Sequence, residues 1–394
     1  MNDRVQVVGV GMVPFATPRT SQPYDVLAEA AIRAALCDAD LDYERVQQVY
    51  AGYVYGDSTC GQHVAYSVGM TGVPVVNVHN NCSTGSTALW LARQAVASGA
   101  VDCVLAVGFE QMRPGALASQ WDDRPEPFAR LEAVARASGD VDEDAPMAAR
   151  WFGGGGDAYA ERYGIDPRTF AAVAVKARQH AANNPYAVFR DPVTLEQVMA
   201  SPHVFGPLTR LQCCPPTCGA AAAIVTSGRF ARRHGLRTDV AIAAQAMTTD
   251  TASSFDGDLM RLVGYEMSRT AANQVYEAAG VGPEDIRVCE LHDCFTTNEV
   301  LTYEAIGLTP EGTADRFVAD GENTYGGRVV TNPSGGLLSK GHPLGATGLA
   351  QCAELTWQLR GEAEARQVED VTHALQHNIG LGGAAVVTLY EKVG

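Results

Sequence analysis

The 394-residue sequence predicts an α/β fold made of two duplicated halves, each rich in βαβ units. Apolar runs of strand length alternate with segments of helix length, which is typical of βαβ units. Residues 40–46 correspond to residues 280–286, 240 positions later. Residues 82–91 correspond to residues 342–351, 260 positions later, with a glycine, a threonine and a leucine at matching places.

The elements of the two halves follow the same order. The first half has an apolar strand over 5–12, a helix over 24–37, a strand over 46–52, a helix that opens after Cys82 and ends near Gly99, and a strand over 101–107. The second half has a strand over 239–247, a helix over 270–279, a strand over 286–291, a helix that opens after His342 and ends at Gly361, and strands near Ala374 and over 384–390. We expect such units to form mainly parallel sheets.

A segment between the halves breaks this rhythm. We place the N-terminal half at 1–236, with an inserted loop or cap at 113–190, and the C-terminal half at 237–394. The insertion carries arginines that form either a solvated surface or a patch for an anionic ligand, and the sequence leaves both readings open. These are Arg113, Arg124, Arg130, Arg136, Arg150, Arg162, Arg168, Arg178 and Arg190.

The charge balance excludes several classes of partner. The chain has 29 basic and 45 acidic residues, a net charge of −16. This argues against nucleic acid and against an anionic membrane surface, because both are bound mainly through Lys and Arg. No apolar run approaches the roughly 18 residues of a membrane span, and the N-terminus has no signal-peptide pattern. We therefore expect a cytoplasmic protein whose ten cysteines are reduced.

The first candidate site is Cys82, at the predicted start of a helix. The positive end of the helix dipole and its unpaired backbone N–H groups lower the pKa of a thiol placed there. Such a thiol is a candidate nucleophile. The alternative is a buried structural cysteine.

His342 holds the position equivalent to Cys82 in the second half. If the halves pack about a pseudo-twofold axis, the two helix starts meet, and His342 faces Cys82 as its base. The alternative, a histidine satisfied in the core or on the surface, is weakened by this internal symmetry.

Two further motifs follow predicted strands, where ligands bind in α/β sheets. In the motif 291–295, His292 can donate to a developing oxyanion and Cys294 can carry a proton. In the motif 376–383, glycines including Gly380 can present backbone N–H groups to an oxyanion. The alternatives are a loop with incidental polar residues and a tight turn.

Three other patterns do not support a cofactor or a metal. Gly9 and Gly11 follow a strand, but a third glycine and a following helix are missing, so this is not a dinucleotide site. The cysteines at 213, 214 and 218 lack a second ligand pair at zinc spacing. The glycines at 153–156 are not followed by the Lys of a phosphate loop. We expect no metal site.

Taken together, the motifs at 81–89, 291–295, 323–327, 332–348 and 376–383 resemble the thiolase superfamily, and within it the thiolase domain of the sterol carrier protein X type. The resemblance spans nearly the whole chain. It implies a thiolase fold, a five-layered αβαβα sandwich of two halves with an inserted loop domain. It also implies a homodimer or higher oligomer, a role in lipid metabolism, acyl-CoA substrates, coenzyme A as co-substrate and no tightly bound cofactor.

The resemblance also assigns roles to residues. Cys82 is the nucleophile and His342 its base. Most thiolases take their proton-shuttling cysteine from a Cys-x-Gly motif; here Asn378 holds that place, Gly380 is retained, and Cys294 takes the role. The backbone amides of Cys82 and Gly380 form one oxyanion hole, and His292 with His342 forms the other. Eukaryotic members continue into a lipid-carrier domain, which this sequence lacks, so lipid transfer is not expected.

The function implied is cleavage of a 3-oxoacyl-CoA by coenzyme A through an acyl-cysteine, or the reverse Claisen condensation. One alternative is a retro-aldolase that acts on a hydroxylated, steroid side-chain acyl-CoA. Another is a non-catalytic acyl-CoA-binding subunit, since some bacterial relatives associate with a small OB-fold partner.

Overall fold

The computed structural model describes residues 4–113, 121–138, 142 and 144–393. Parts of the predicted insertion, 114–120, 139–141 and 143, lie outside the described residues. The strands of the described chain are β1 (Val5–Met12), β2 (Gln48–Gly52), β3 (Val75–Val78), β4 (Cys103–Glu110), β5 (His203–Phe205), β6 (Leu208–Thr209), β7 (Gly219–Ser227), β8 (Val240–Thr248), β9 (Val288–Glu290), β10 (Val330–Thr331), β11 (His373–Gly380) and β12 (Ala384–Lys392).

The helices of the same residues alternate with these strands. They are α1 (Tyr24–Ala39), α2 (Cys60–Val68), α3 (Thr84–Ala97), α4 (Ala129–Ala137), α5 (Met147–Tyr163), α6 (Pro167–Ala181), α7 (Leu195–Met199), α8 (Gly228–His234), α9 (Leu259–Leu262), α10 (Tyr265–Ala279), α11 (Thr296–Ala305), α12 (Ala314–Ala319) and α13 (Leu344–Arg360). None of these helices combines the length and the apolar character needed to cross a membrane.

The strand order is symmetric about the junction of the two halves. It runs β10-β9-β11-β12-β8-β1-β7-β4-β2-β3, so each strand of one half has its counterpart at the same distance from the centre. The halves meet where β1 pairs with β8, with Gln6 opposite Ala241. The predicted α/β fold of two duplicated halves is therefore confirmed.

The expectation of mainly parallel sheets is wrong. β2 is parallel to β3 and β4, and β9 to β10 and β11, but β7 and β12 are antiparallel to both of their neighbours. β12 is antiparallel to β11 because it follows β11 directly through a tight turn. In this turn Gly382 and Gly383 have positive φ. β7 is antiparallel to β4 because the long segment between them leaves the sheet after Glu110 and returns to it at Gly219, the residue that pairs with Glu110.

Two central helices lie between the half-sheets. α3 and α13 each contact strands of both halves, while α1 packs on the outer face of the first half and α10 on that of the second. This gives the five layers α, β, α, β, α. A Cβ on Gly85 would lie 2.5 Å from the Gly345 carbonyl oxygen, so the two helices cross in backbone contact. The crossing brings the starts of α3 and α13 together.

The inserted helices pack on the second half, although they follow the first half in sequence. α5 and α6 lie against α11. The Lys176 ammonium of α6 forms a buried ion pair with Glu299 of α11 and donates to Thr331 Oγ1 at 2.6 Å. The Tyr159 hydroxyl of α5 donates to Glu304. The division of the chain at residue 236 stays a prediction.

Candidate active site

Cys82 lies in the turn that opens α3, and this turn is pinned to the end of β11. Asn81 takes the left-handed conformation with φ of 48°. Its Nδ2 donates to the Leu381 carbonyl at 3.3 Å. The Asn80 carbonyl accepts from Ser83 N and Oγ, which closes the turn. Cys82 is thereby held, 6% exposed, at the head of the central helix layer.

His342 lies in the equivalent turn before α13, and its hydrogen bonds define its tautomer. Its backbone N–H donates to Thr217 Oγ1 at 2.6 Å. Its Nδ1 is 2.7 Å from Thr347 Oγ1, and that hydroxyl donates to the Pro343 carbonyl at 2.9 Å. Because the hydroxyl proton is already used, Nδ1 must be the donor and Nε2 holds a lone pair. Within the described part of the chain, this Nε2 has no hydrogen-bond partner.

The three predicted residues Cys82, His292 and His342 converge. One ligand atom of each lies within 4.8 Å of the others, and all three side chains are buried. The two imidazole rings meet edge to face, with centroids 5.1 Å apart at 85°. One sulfur and two nitrogens are also a donor set that zinc accepts, so this trio is where a metal could bind. The absence of a metal stays a prediction.

The structure contradicts the expected low pKa of Cys82. Burial, and secondly the charge of Glu110, raise the pKa of the thiol to about 12, against the opposing hydrogen bonds of the Cys82 and Leu381 amides. Burial, and secondly Lys340, lower the pKa of His342 to about 3. The prediction considered the helix dipole and omitted desolvation. The resting pair is a neutral thiol beside a neutral imidazole.

His292 and Cys294 are adjacent to this pair. Asn378 Nδ2 lies 2.9 Å from His292 Nδ1. Burial, followed by the neighbouring His342 and His377, holds the pKa of His292 well below its usual value. Cys294 is 4% exposed. Its thiol pKa is raised well above the ordinary value by burial, then by Cys214 and Cys82.

The loop of His292 and the turn of His342 are fastened to each other by Asp293. Its carboxylate accepts from the Leu337 amide at 2.7 Å and the Leu338 amide at 3.3 Å. These amides belong to the π-helical turn Gly336–Lys340 that leads into His342. A buried acidic side chain therefore joins the two segments that carry the histidines.

Gly380, the last residue of β11, lies directly against the Cys82 turn. A Cβ there would meet the Asn80 carbonyl oxygen at 2.2 Å and Ser83 Oγ at 2.7 Å. Only glycine allows this approach. The role of its amide in an oxyanion hole stays a prediction.

Sequence reasoning missed two residues of this site. Glu110 ends β4 and accepts from the backbone amides of Val54, Tyr55 and Gly345, which ties the start of α13 to the first half. Burial raises its pKa to about 7. Cys214 donates its amide to the Cys294 carbonyl at 2.9 Å. The position of Glu110 at a strand end was its one visible signal.

A cavity of about 1190 Å³ opens beside the Cys82 turn. Asn80, Asn81 and Leu381 line it on the side of this turn. The rest of the lining combines aromatic and apolar side chains such as Trp121 and Phe128 with charged and polar ones, which include Asp57, His79, Gln111, Arg113, Arg124 and Glu126. Cys82, His292, Cys294 and His342 do not line it. It therefore adjoins the reacting groups without containing them.

The arginines of the insertion lie in different surroundings. Arg113 and Arg124 line this cavity. Several arginines pair with carboxylates: Arg124 with Asp123, Arg136 and Arg150 with Glu132, and Arg162 with Asp258. The anion patch stays a prediction.

Comparison with known proteins gives consistent matches along the chain. The family model "Thiolase, N-terminal domain" matches residues 5–227, and "Thiolase C-terminal domain-like" matches residues 249–391. Sterol carrier protein 2 of Rattus norvegicus is 53% identical over 98% of this chain and 72% of its own. An acetyl-CoA acetyltransferase of Methanothermobacter thermautotrophicus is 35% identical over 98% of this chain and 99% of its own.

Solved structures share the fold. The structure described as "Ltp2-ChsH2(DUF35) aldolase" superposes with a TM-score of 0.84 and 26% identity, covering 99% of this chain and 98% of that one. Human mitochondrial 3-ketoacyl-CoA thiolase in complex with CoA gives a TM-score of 0.74 at 19% identity, covering 100% and 98%. At that identity the second likeness shows the fold alone.

Proposed function

The chain belongs to the thiolase family, and on that premise we propose that it is an acyltransferase that cleaves 3-oxoacyl-CoA with coenzyme A. The observation that carries this proposal is the meeting of Cys82 with His342. A buried thiol lies within 4.8 Å of a neutral imidazole whose Nε2 lone pair is uncommitted. This is the arrangement of a nucleophile with its general base.

In the first half-reaction, His342 Nε2 takes the proton of Cys82, and the thiolate attacks the ketone carbon of the substrate. The carbon–carbon bond next to that ketone breaks. The acyl group stays on the Cys82 sulfur, and the electron pair moves to the enolate of acetyl- or propionyl-CoA. The Cys294 thiol then protonates this enolate at carbon.

In the second half-reaction, the Cys294 thiolate deprotonates coenzyme A. The coenzyme A sulfur attacks the acyl-Cys82 thioester and releases a shortened acyl-CoA, while Cys82 recovers its proton from His342. The amides of Cys82 and Gly380 stabilise the tetrahedral oxyanion, and His292 with protonated His342 stabilises the enolate. Each such donor contributes about 3 kcal/mol. The reverse sequence is a Claisen condensation.

A retro-aldolase is the second candidate. It is favoured by the likeness to the Ltp2-ChsH2(DUF35) aldolase. The presence of Cys82, Cys294 and His342 at one place argues for acyl transfer, because a retro-aldol cleavage needs no cysteine nucleophile. A non-catalytic acyl-CoA-binding subunit is the third candidate.

We extend the proposal to ligands and partners. The acyl-CoA substrate is expected to use the cavity beside the Cys82 turn, with Arg113 and Arg124 near its phosphates. A homodimer is expected, as is a small OB-fold partner, the latter by analogy with the Ltp2-ChsH2 pair. The cytoplasmic location and the role in lipid metabolism are parts of this proposal.

The decisive experiment compares Cys82→Ala, Cys294→Ala and Cys103→Ala on a panel of 3-oxoacyl-CoAs, from short linear to 2-methyl-branched and steroid side-chain chains. Cys82→Ala should abolish thiolysis and the acetyl group that mass spectrometry detects on residue 82. Cys294→Ala should still be acetylated by acetyl-CoA but turn over about a thousandfold more slowly. The matched variant Cys103→Ala removes a buried thiol at the start of β4, at the other end of that strand from Glu110, and should keep at least half of the activity.

Each failure has a distinct meaning. Undiminished thiolysis by Cys82→Ala would refute the nucleophile. Cleavage of a hydroxylated acyl-CoA that survives Cys82→Ala would establish the retro-aldolase. Acyl-CoA binding without turnover, with and without a small partner protein, would establish the binding subunit.

A further inference from the structure

We propose that a relay of three buried side chains, Gln376, Ser86 and Asn378, positions His292 and decides which of its ring nitrogens carries the proton. The relay starts from α13, crosses α3 and ends at the site. All three side chains and His292 are at most 1% exposed. The inference rests on the proposed function, because the proton that it places is the one offered to the enolate oxygen.

The relay begins at the Gly348 carbonyl, which can only accept a hydrogen bond. Gln376 Nε2 donates to the Gly348 carbonyl of α13 at 2.7 Å. Its Oε1 receives the Tyr390 hydroxyl at 2.5 Å. These two partners fix the amide orientation, since a carbonyl cannot donate. The second N–H of Gln376 points to Ser86 Oγ at 2.9 Å, and another acceptor, Gln351 Oε1, lies farther away at 3.3 Å.

The Ser86 hydroxyl, which has a single proton, continues the hydrogen bonds in the same direction from Gln376 to Asn378. Ser86 Oγ accepts from Gln376 and donates its own proton to Asn378 Oδ1 at 2.8 Å. With Oδ1 facing Ser86, the Asn378 Nδ2 must face His292 Nδ1, 2.9 Å away. Nδ1 of His292 is therefore an acceptor, and Nε2 carries the ring proton.

The other histidine of the site has the opposite tautomer. Thr347 makes His342 Nδ1 the donor and leaves Nε2 with its lone pair. The two rings, 5.1 Å apart, therefore present one donor and one acceptor. Burial together with His342 and His377 keeps the pKa of His292 well below its usual value, so the ring is neutral. A neutral imidazole has a proton on only one of its two nitrogens, and the relay determines which one.

The relay explains how an uncharged histidine serves an oxyanion. A neutral imidazole with its proton on Nδ1 would offer a lone pair to the enolate oxygen and repel it. Removing one oxyanion-hole donor lowers kcat by about 10²–10³. Loosening the relay without removing the donor should cost less, about tenfold in kcat, with KM unchanged because the donor acts on the transition state.

The test reads the tautomer directly from protein labelled with ¹⁵N-histidine. The chain has nine histidines, and the His292 signals are those lost in His292→Gln. In the unmodified protein without substrate, we expect the His292 proton on Nε2 and the His342 proton on Nδ1. In Asn378→Asp, which keeps the shape and still accepts from Ser86, the carboxylate should draw a proton onto His292 Nδ1.

Kinetics provide the second readout. Ser86→Ala should lower kcat about tenfold at unchanged KM. Ser227→Ala removes another buried serine hydroxyl that both donates and accepts, here to Asp102 and from the Phe230 amide at the end of β7, and should stay within twofold of the unmodified protein.

A His292 proton on Nδ1 in the unmodified protein would overturn the inference. So would a Ser86→Ala variant that matches Ser227→Ala in both kcat and histidine shifts. The tautomer is measured without turnover, so an inactive protein with the expected tautomers would refute the proposed function and leave the relay intact.

Discussion

Cys82 and His342 form an uncharged pair over a wide range of pH. Burial raises the pKa of Cys82 to about 12, so the thiol keeps its proton below that value. Burial lowers the pKa of His342 to about 3, so the imidazole is neutral above that value. Between roughly pH 5 and 9 neither group changes its charge, and proton transfer takes place only as the sulfur attacks.

The rate of acylation should therefore show no inflection near pH 6.5, the usual pKa of a histidine. Rapid-quench mass spectrometry of acetyl-Cys82, formed from acetyl-CoA between pH 5 and 9, measures this rate. Because Glu110 near the site has a pKa of about 7, Glu110→Gln is the control. An inflection near pH 6.5 that persists in Glu110→Gln would contradict the neutral pair.

At the scale of single residues, the sequence predicted which side chains form the site and that they lie close together. It did not predict their charge states. Cys82, His292, Cys294 and His342 could be chosen from motifs and internal symmetry. The structure brings Cys82, His292 and His342 within 4.8 Å of one another, and Cys294 lies near enough to Cys82 to interact with it electrostatically. The direction of the Cys82 pKa shift could not be predicted, because desolvation depends on layers packed from remote segments. The same holds for Glu110, whose three amide partners lie up to 235 positions away.

The site depends on the close crossing of the helices α3 and α13. We expect the glycines at this crossing not to tolerate substitution by alanine. In Gly85→Ala the new Cβ would lie 2.5 Å from the Gly345 carbonyl oxygen, a backbone atom that cannot move aside alone. We expect a loss of about 3 kcal/mol in the free energy of unfolding, measured by chemical denaturation.

The matched control is Gly154→Ala in α5. There the Cβ meets only a flexible leucine methyl group, Leu259 Cδ1, at 3.1 Å. Since alanine is the better helix former, this variant should be neutral or up to about 1 kcal/mol more stable. Equal stability of the two variants would show that the helices do not cross in backbone contact.

The order of elements could be predicted from the sequence, whereas their packing could not. The strand over 5–12 was predicted to its boundaries, and the other predicted strands to within a few residues. The strands β3, β5, β6, β7 and β10 were not predicted. The antiparallel β7 was missed because its direction depends on where the insertion returns to the sheet. The docking of α6 on the second half was missed because the Lys176–Glu299 pair joins residues 123 positions apart.

At the scale of the whole molecule, the internal symmetry is broken at the two ends of the sheet. Among the described residues, β10 ends it on one side and β3 on the other. Val330 and Thr331 of β10 are buried, but Val76 of β3 is 39% exposed and Asn77 beside it is exposed as well. An open edge strand is a template for pairing with another chain. The proposed homodimer is therefore expected to form through β3.

Val76→Lys should convert that dimer into a monomer, because an edge lysine opposes strand pairing. Light scattering after size exclusion should give twice the chain mass of 41.7 kDa for the unmodified protein and 41.7 kDa for the variant. Val26→Lys, at an equally exposed valine on α1, should remain dimeric. A dimer that survives Val76→Lys would place the interface elsewhere, and a monomeric unmodified protein would remove the dimer from the proposal.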